Sequence, residues 1–296
     1  MSKGQITLLI SAVVLAVLMA LLPKVIINKS KKDALAKNEA TANRDMAQGG
    51  AAEEGHEGHD HAAEGEAPVE AHAAATPAQL KEISDLRLKF SKETNPQAKG
   101  KIADELGQKY TAIGKYDSAG YYYEQLAAVR PGEQSYRKAA DQYFEAFTFA
   151  ATQERASMLG QKARGMYEQV LKNNPTNLDA KTNIAMTYIS TENPMKGITL
   201  LREVITTDPK NEKALFNLGV LSIQSNQYDK AVERFQELVK VNPKHIEGNF
   251  YLGVALAETK RKEEALAAFE KVKSLSKNPE LLASVDSYIQ KLNSGQ

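Results

Sequence analysis

Prolines, small residues and apolar residues recur at a fixed interval in the C-terminal half of the chain. Three prolines lie 34 residues apart, at Pro175, Pro209 and Pro243. When the prolines are aligned, the positions between them also align, and in one unit they are occupied by Leu218, Gly219, Ala231 and Phe235. Self-similarity at such a period is typical of arrays of helical hairpins. The pattern therefore predicts an all-α solenoid.

Each recurring position has a physical role in such a hairpin. Small side chains at Gly219 and Ala231 allow the two helices to approach closely, and Phe235 fills the seam between them. Pro243 ends the second helix because its ring clashes with the preceding turn and it has no N–H to donate. A single hairpin cannot bury its apolar face, so neighbouring hairpins are expected to stack into one continuous core.

The stretch Glu212–Pro243 closely resembles the tetratricopeptide repeat (TPR). The resemblance implies an α-solenoid of about five helical hairpins with capping helices at both ends, within a repeat domain covering residues 77–296. We place the repeats at about 100–132, 133–177, 178–211, 212–245 and 246–279, and the C-terminal cap at 280–294.

Two details of this assignment depend on local sequence. Pro131 and Pro175 are 44 residues apart, ten more than the period. We therefore expect the second repeat to have a longer first helix around 136–150, or a longer turn near 152–157. At the N-terminal end, Thr76 is expected to cap a helix that begins at Pro77, since Thr before Pro is a common helix start.

The N-terminal segment predicts a membrane anchor. After a short tail (residues 1–5), residues 6–22 carry no charge, and the apolar run resumes up to residue 27. This length suits a spanning helix at 6–27. The alternative is a cleaved signal peptide, although no small-residue cleavage site follows. We expect a single-pass protein of a bacterial inner or plasma membrane. Lysines after the span favour repeats on the cytoplasmic side, while the position of the span near the N-terminus leaves the opposite side open.

Residues 28–76 are predicted to be a disordered linker, because they contain almost no bulky apolar residue. The linker includes His56, His59 and His61, whose imidazoles, with adjacent acidic residues, suit zinc, nickel or copper. A metal-binding protein that acts through this linker is therefore one alternative function. The other interpretation of these histidines is polar filler in a solvated linker.

The resemblance also implies a binding site for a protein or peptide partner. In this family the first helices of successive repeats line a concave groove. The positions implied here are Thr182, Asn183, Met186, Ile189, Lys213, Phe216, Asn217, Val220, Ile223, Phe250 and Val254. The alternative for the Phe216 and Phe250 stripe is packing inside the array. Asp104 and Gln108 occupy positions where family members that clamp acidic tails have Lys and Asn, so we expect no such clamp.

Composition and motifs narrow the range of possible functions. The 38 basic and 37 acidic residues are balanced, which argues against nucleic-acid binding. The chain has no cysteine, so disulfides and thiol chemistry are excluded. It shows no catalytic or phosphate-binding motif, and we predict neither enzymatic activity nor a cofactor. The expected function is a membrane-anchored scaffold or adaptor, for example in the assembly of envelope complexes. A self-assembling structural homo-oligomer is a further alternative.

Overall fold

The computed structural model describes residues 75–191 and 193–294, and every regular element in these two ranges is an α-helix. The twelve helices are α1 (Pro77–Lys92), α2 (Pro96–Ala112), α3 (Tyr116–Val129), α4 (Glu133–Thr148), α5 (Gln153–Asn173), α6 (Leu178–Ile189), α7 (Pro194–Thr207), α8 (Glu212–Gln224), α9 (Tyr228–Val241), α10 (Ile246–Glu258), α11 (Lys262–Leu275) and α12 (Pro279–Ser294).

The helices pack mainly against their neighbours along the chain. Five hairpins follow one another, formed by α2 and α3, α4 and α5, α6 and α7, α8 and α9, and α10 and α11. We call the first helix of each hairpin helix A and the second helix B. The remaining helices close the stack, with α1 against α2 and α12 against α10 and α11. The predicted all-helical solenoid is confirmed.

A glycine on helix A faces an aromatic ring on helix B in three of the hairpins. A Cβ atom added to Gly219 would lie 2.6 Å from the Phe235 ring, and one added to Gly253 would lie 2.7 Å from Phe269. Gly107 stands in the same relation to the Tyr123 ring, at 2.6 Å. These distances are too short for any side chain, so the close approach of the two helices requires glycine here. The role predicted for Gly219 is confirmed.

Side chains in the turns start the A helices. The side-chain oxygens of Asn177 and Asn211 accept hydrogen bonds from backbone N–H groups three residues later, each at 3.0 Å. In the next repeat His245 Nδ1 accepts in the same way from the Gly248 N–H, at 3.0 Å. Thr76 caps α1 as predicted, with Pro77 at the first helical position. Such caps satisfy backbone donors that have no partner within the helix.

The surplus residues of the second hairpin lie mostly in its second helix. The α5 helix has 21 residues, whereas α7, α9 and α11 have 14 each. The α4 helix has 16 residues, against 13 in α8 and α10. The expectation of a longer helix A is therefore correct in part. The expectation of a longer turn near 152–157 is wrong, because Thr152 caps α5 and residues 153–157 are helical. The spacing of apolar residues alone did not show where the turn between α4 and α5 ends.

The two terminal helices bury one face each. Ile83 and Leu86 of α1 and Leu281 and Val285 of α12 are buried. Among the described helices, none has both the length and the apolar character needed to cross a membrane. The predicted span (6–27), the linker up to residue 74, and His56, His59 and His61 lie outside the described residues.

Candidate binding groove

A groove of about 1250 Å³ runs across the A helices of three successive hairpins. It is lined by residues of α4, α6 and α8, by Tyr167 of α5 and Glu247 of α10, and by the turns that precede α8 and α10. We call it the A-helix groove. Lining residues on α6 include Asp179, Thr182, Asn183 and Met186, a spacing of three and four residues that places them on one helix face. The groove therefore follows from the stacking of helices that each present the same face.

A partly buried hydrogen-bond chain links the wall formed by α4 to α6. The Tyr167 hydroxyl donates to Asp141 Oδ1 at 2.7 Å, and Asn183 Nδ2 donates to the Tyr167 oxygen at 2.7 Å. Burial raises the pKa of the Asp141 carboxyl above its ordinary value, while the hydrogen bond from Tyr167 acts in the opposite direction. Tyr167 is 1% exposed, so this chain connects the interior of the second hairpin with the groove surface.

An aromatic corner closes the other end of the groove. The Phe216 ring stacks on the His245 imidazole with 5.5 Å between ring centroids and packs edge-on against Tyr251 at 5.8 Å. The Tyr251 ring is stacked on Phe235. Its hydroxyl is buried without a hydrogen-bond partner among the described residues, and burial raises the pKa of this phenol. The corner is therefore apolar, apart from the polar edge of His245.

Charged side chains form the rim of the groove. Lys213 Nζ donates to Asp179 Oδ1 at 2.7 Å across the α6–α8 interface, and both side chains are more than half exposed. Exposed pairs of this kind contribute about 0.2–1 kcal/mol to stability. His245 lies 3.5 Å from Glu247. Because His245 Nδ1 already accepts the Gly248 N–H, that nitrogen carries no proton and this contact is not an ion pair.

The structure brings six of the predicted site residues together in the groove: Thr182, Asn183, Met186, Lys213, Phe216 and Asn217. Thr182 offers little surface, since it is 2% exposed and its hydroxyl donates to the Leu178 carbonyl oxygen. Asn217 Nδ2 donates to the Lys213 carbonyl oxygen of its own helix. The side-chain oxygens of Asn183 and Asn217 accept no hydrogen bond within the described residues, so both can accept one from a ligand.

Five predicted site residues do not line the groove: Ile189, Val220, Ile223, Phe250 and Val254. The last four are at most 4% exposed and belong to the core of the C-terminal hairpins. Phe250 packs edge-on against Phe269 and against Tyr288 of the cap helix α12. Ile189 packs against Gly197, at the seam between α6 and α7. Their assignment to the binding surface is corrected, because stacking repeats and the cap cover this face of the A helices.

Several lining residues were missed by sequence reasoning. Asp141, Phe144 and Glu145 lie on α4. This helix lacks the Leu–Gly pair of the regular repeats, so its positions could not be aligned with theirs. His245 is a helix cap stacked on Phe216. Its position three residues before Gly248 matches that of the Asn caps one and two repeats earlier, and this periodicity is a signal that could have identified it.

Comparison with known proteins agrees with this architecture. A family model described as Tetratricopeptide repeat matches residues 216–279, which span most of α8 and all of α9 to α11. This segment carries tetratricopeptide repeats. A search of curated proteins found no match to the chain.

Solved structures with TPR folds are similar at low sequence identity. A tetratricopeptide repeat protein from Parabacteroides merdae is 19% identical, with a TM-score of 0.52 over 73% of this chain and 80% of its own. YrrB, a TPR protein with an unusual peptide-binding site, is 16% identical with a TM-score of 0.44, over 72% of this chain and 100% of its own. MamA from Desulfovibrio magneticus is 19% identical with a TM-score of 0.47, over 60% and 94% respectively. The likeness to the first of these shows the same fold, a solenoid of helical hairpins.

The lining side chains suit binding by shape, charge and hydrogen bonds. Within the described residues no group of three or more His, Asp or Glu side chains could hold a metal ion. His245 is the single histidine of the described ranges, and its Nδ1 is engaged as a helix cap. What the groove offers a ligand is exposed aromatic surface, amide oxygens and carboxylates.

Proposed function

We propose that the protein is a non-catalytic adaptor that binds a segment of another protein in the A-helix groove. The observation that carries this proposal is the groove itself, about 1250 Å³ in volume and shared by three successive A helices. Its size is above the usual range of small-molecule pockets, and its elongated lining suits an extended peptide or a helix. The partly exposed Phe149 and the half-buried Phe216 and Met186 offer apolar contacts.

The N-terminal segment is proposed to hold this adaptor at a membrane. Support comes from the sequence, in which the uncharged residues 6–22 are followed by lysines, and the charge asymmetry favours repeats on the cytoplasmic side. A linker of some 48 residues that behaves as a coil has an r.m.s. span of roughly 40 Å. The groove would therefore act on partners close to the bilayer, a placement suited to the assembly of envelope complexes.

Peptide selection on the full chain tests the groove. A random peptide library is panned against the protein in nonionic detergent, and binding is then compared in two variants. Asn217→Trp places a bulky neutral side chain in the groove, whereas Gln236→Trp places the same side chain on the exposed face of α9, away from the lining residues. The proposal expects selected peptides to lose binding only to Asn217→Trp. Equal binding to both variants would refute it.

Membrane attachment needs a separate experiment. The full chain is expected in the membrane fraction after alkaline carbonate washing, and a variant lacking residues 1–27 in the soluble fraction. Fusions after Gln296 then report the side, since green fluorescent protein fluoresces in the cytoplasm and alkaline phosphatase is active outside it. Fluorescence without phosphatase activity is the expected result. Phosphatase activity would place the repeats on the opposite side.

A further inference from the structure

The side chains that line the A-helix groove are unbalanced in charge. Six carboxylates line it, from Asp141, Glu145, Asp179, Asp208, Glu212 and Glu247, against two lysines, Lys210 and Lys213. The chain as a whole has a net charge of only +1. The groove therefore carries a local excess of negative charge that the overall composition does not show.

Few of these carboxylates are neutralised by the protein itself. Asp179 is paired with Lys213. Glu145 receives only the Thr148 hydroxyl, at 3.4 Å, and no lysine or arginine of the described residues lies within ion-pair distance of it. Asp208 accepts the backbone N–H of Lys210 at 3.0 Å. Arg137 and Lys213 also act on the Asp141 carboxyl, so within the described residues the excess is balanced only in part.

Two further carboxylates reach the groove without a cation. Glu212 Oε2 accepts the neutral Asn242 amide at 2.8 Å. Glu247 lies beside His245 Nδ1, which carries no proton because it accepts the Gly248 N–H. Carboxylates aligned along a groove with apolar walls concentrate negative potential there. A ligand with positive charges at matching positions would be attracted, and an acidic one repelled.

We infer that the occupant of the A-helix groove is a basic peptide segment of a partner protein, in which Lys or Arg residues alternate with bulky apolar residues. This inference rests on the proposed function and specifies its ligand. Apolar anchors of the peptide contact Phe149, Met186 and Phe216, while its cations face Glu145 and Glu247. The same charges disfavour acidic tails and nucleic acids, whose negative groups would meet unpaired carboxylates.

The test uses the peptide library panned on the full chain and reads two properties of each selected peptide. The first is dependence on the groove, measured as loss of binding to Asn217→Trp but not to Gln236→Trp. The second is charge. Groove-dependent peptides enriched in Lys and Arg are expected. Groove-dependent peptides without basic residues would overturn this inference and leave the proposed function intact, whereas the absence of groove-dependent binding would overturn both.

A groove variant with less negative charge then tests the cause. The variant Glu145→Gln/Asp208→Asn/Glu247→Gln changes three carboxylates that lack an ion pair. The control Glu168→Gln/Glu233→Gln/Glu263→Gln removes three exposed carboxylates on B helices. By fluorescence anisotropy, the groove variant should weaken a selected basic peptide about tenfold, the sum of three modest exposed interactions. The control should change affinity less than about twofold.

Two further measurements test the inference, one of the salt dependence of binding and one with a competing peptide. Raising salt from about 50 to about 500 mM should weaken binding to the native groove and remove its advantage over the triple groove variant. An unchanged affinity in the triple groove variant would overturn the inference. A synthetic peptide of residues 28–44, itself basic, is included as a probe. If it bound the groove more tightly than every selected peptide, the occupant would be the chain's own segment and the partner assignment would be wrong.

Discussion

The unpaired hydroxyl of Tyr251 gives a sharp test of how the C-terminal core is held together. This side chain is 1% exposed, and its hydroxyl lies among aromatic rings with no hydrogen-bond partner in the part of the chain that the structure describes. A buried polar group left unsatisfied costs about 1–3 kcal/mol. Removing the hydroxyl in Tyr251→Phe leaves the ring contacts with Phe216 and Phe235 in place. We therefore expect the variant to be more stable by about 1 kcal/mol.

Tyr167 supplies the matched control. It is also 1% exposed, but its hydroxyl donates to Asp141 and accepts from Asn183. The change Tyr167→Phe removes both hydrogen bonds and leaves the partly buried Asp141 carboxyl without this donor. We expect this variant to lose about 1–3 kcal/mol. The same chemical change should thus shift stability in opposite directions at two equally buried sites.

The assay is urea unfolding of the full chain in nonionic detergent, followed by far-UV circular dichroism. Because hairpins of a repeat array can unfold separately, hydrogen exchange of α10 and α5 amides reports the two sites locally. Slower exchange in α10 for Tyr251→Phe and faster exchange in α5 for Tyr167→Phe are expected. If Tyr251→Phe is less stable than the native protein by about 0.5 kcal/mol or more, its hydroxyl has a partner and the reasoning is refuted.

Three other predictions concern packing, pH and capping. Gly219→Ala should lower the free energy of unfolding by about 1–3 kcal/mol, because the new Cβ meets the Phe235 ring. Gly165→Ala, whose new Cβ would have no atom within 4 Å, should raise it by up to about 1 kcal/mol. Equal shifts of the two variants in thermal unfolding would contradict this. Burial raises the pKa of the Asp141 carboxyl, so stability should fall as pH rises above its ordinary value of 3.8, since the unfolded chain releases this proton first. Asp141→Asn should lessen that fall above pH 3.8 in urea titrations, and an unaltered pH profile would count against it. Asn211→Ala should lower stability by about 1 kcal/mol and speed amide exchange in the first turn of α8, while Asn211→Asp should keep the cap and show neither effect.

Much of the hairpin architecture could be predicted from the sequence because it depends on residues close in the chain. The contact of Gly219 with Phe235 joins positions 16 residues apart within one hairpin, and the period marks both of them. The Thr76 cap involves a residue only three positions away. The extension of α5 could not be placed in the same way, because helix A of its repeat lacks the Leu–Gly pair that Leu218 and Gly219 form in a regular repeat.

The candidate site was predicted only in part. The alignment of the repeats assigned one face of α6 and α8 to the groove, and Asn183, Met186 and Phe216 on that face do line it. It also selected Phe250 and Val254, which the structure buries. Equivalent positions of equivalent helices thus differ in exposure. The difference arises because α12 packs against α10 at the end of the array, whereas α6 and α8 leave space in front of α4.

By itself the sequence determined the repeat length, the all-helical class, the seam of each regular hairpin and the expectation of a groove on the A helices. Tertiary structure alone decided which part of the A-helix face stays open and that α4 contributes a wall to it. It also decided that carboxylates from four helices and one turn gather there with few cations. The physical reason is one of distance along the chain. Periodicity reports contacts within a hairpin or with the next one, whereas accessibility and local potential depend on how several hairpins stack in space.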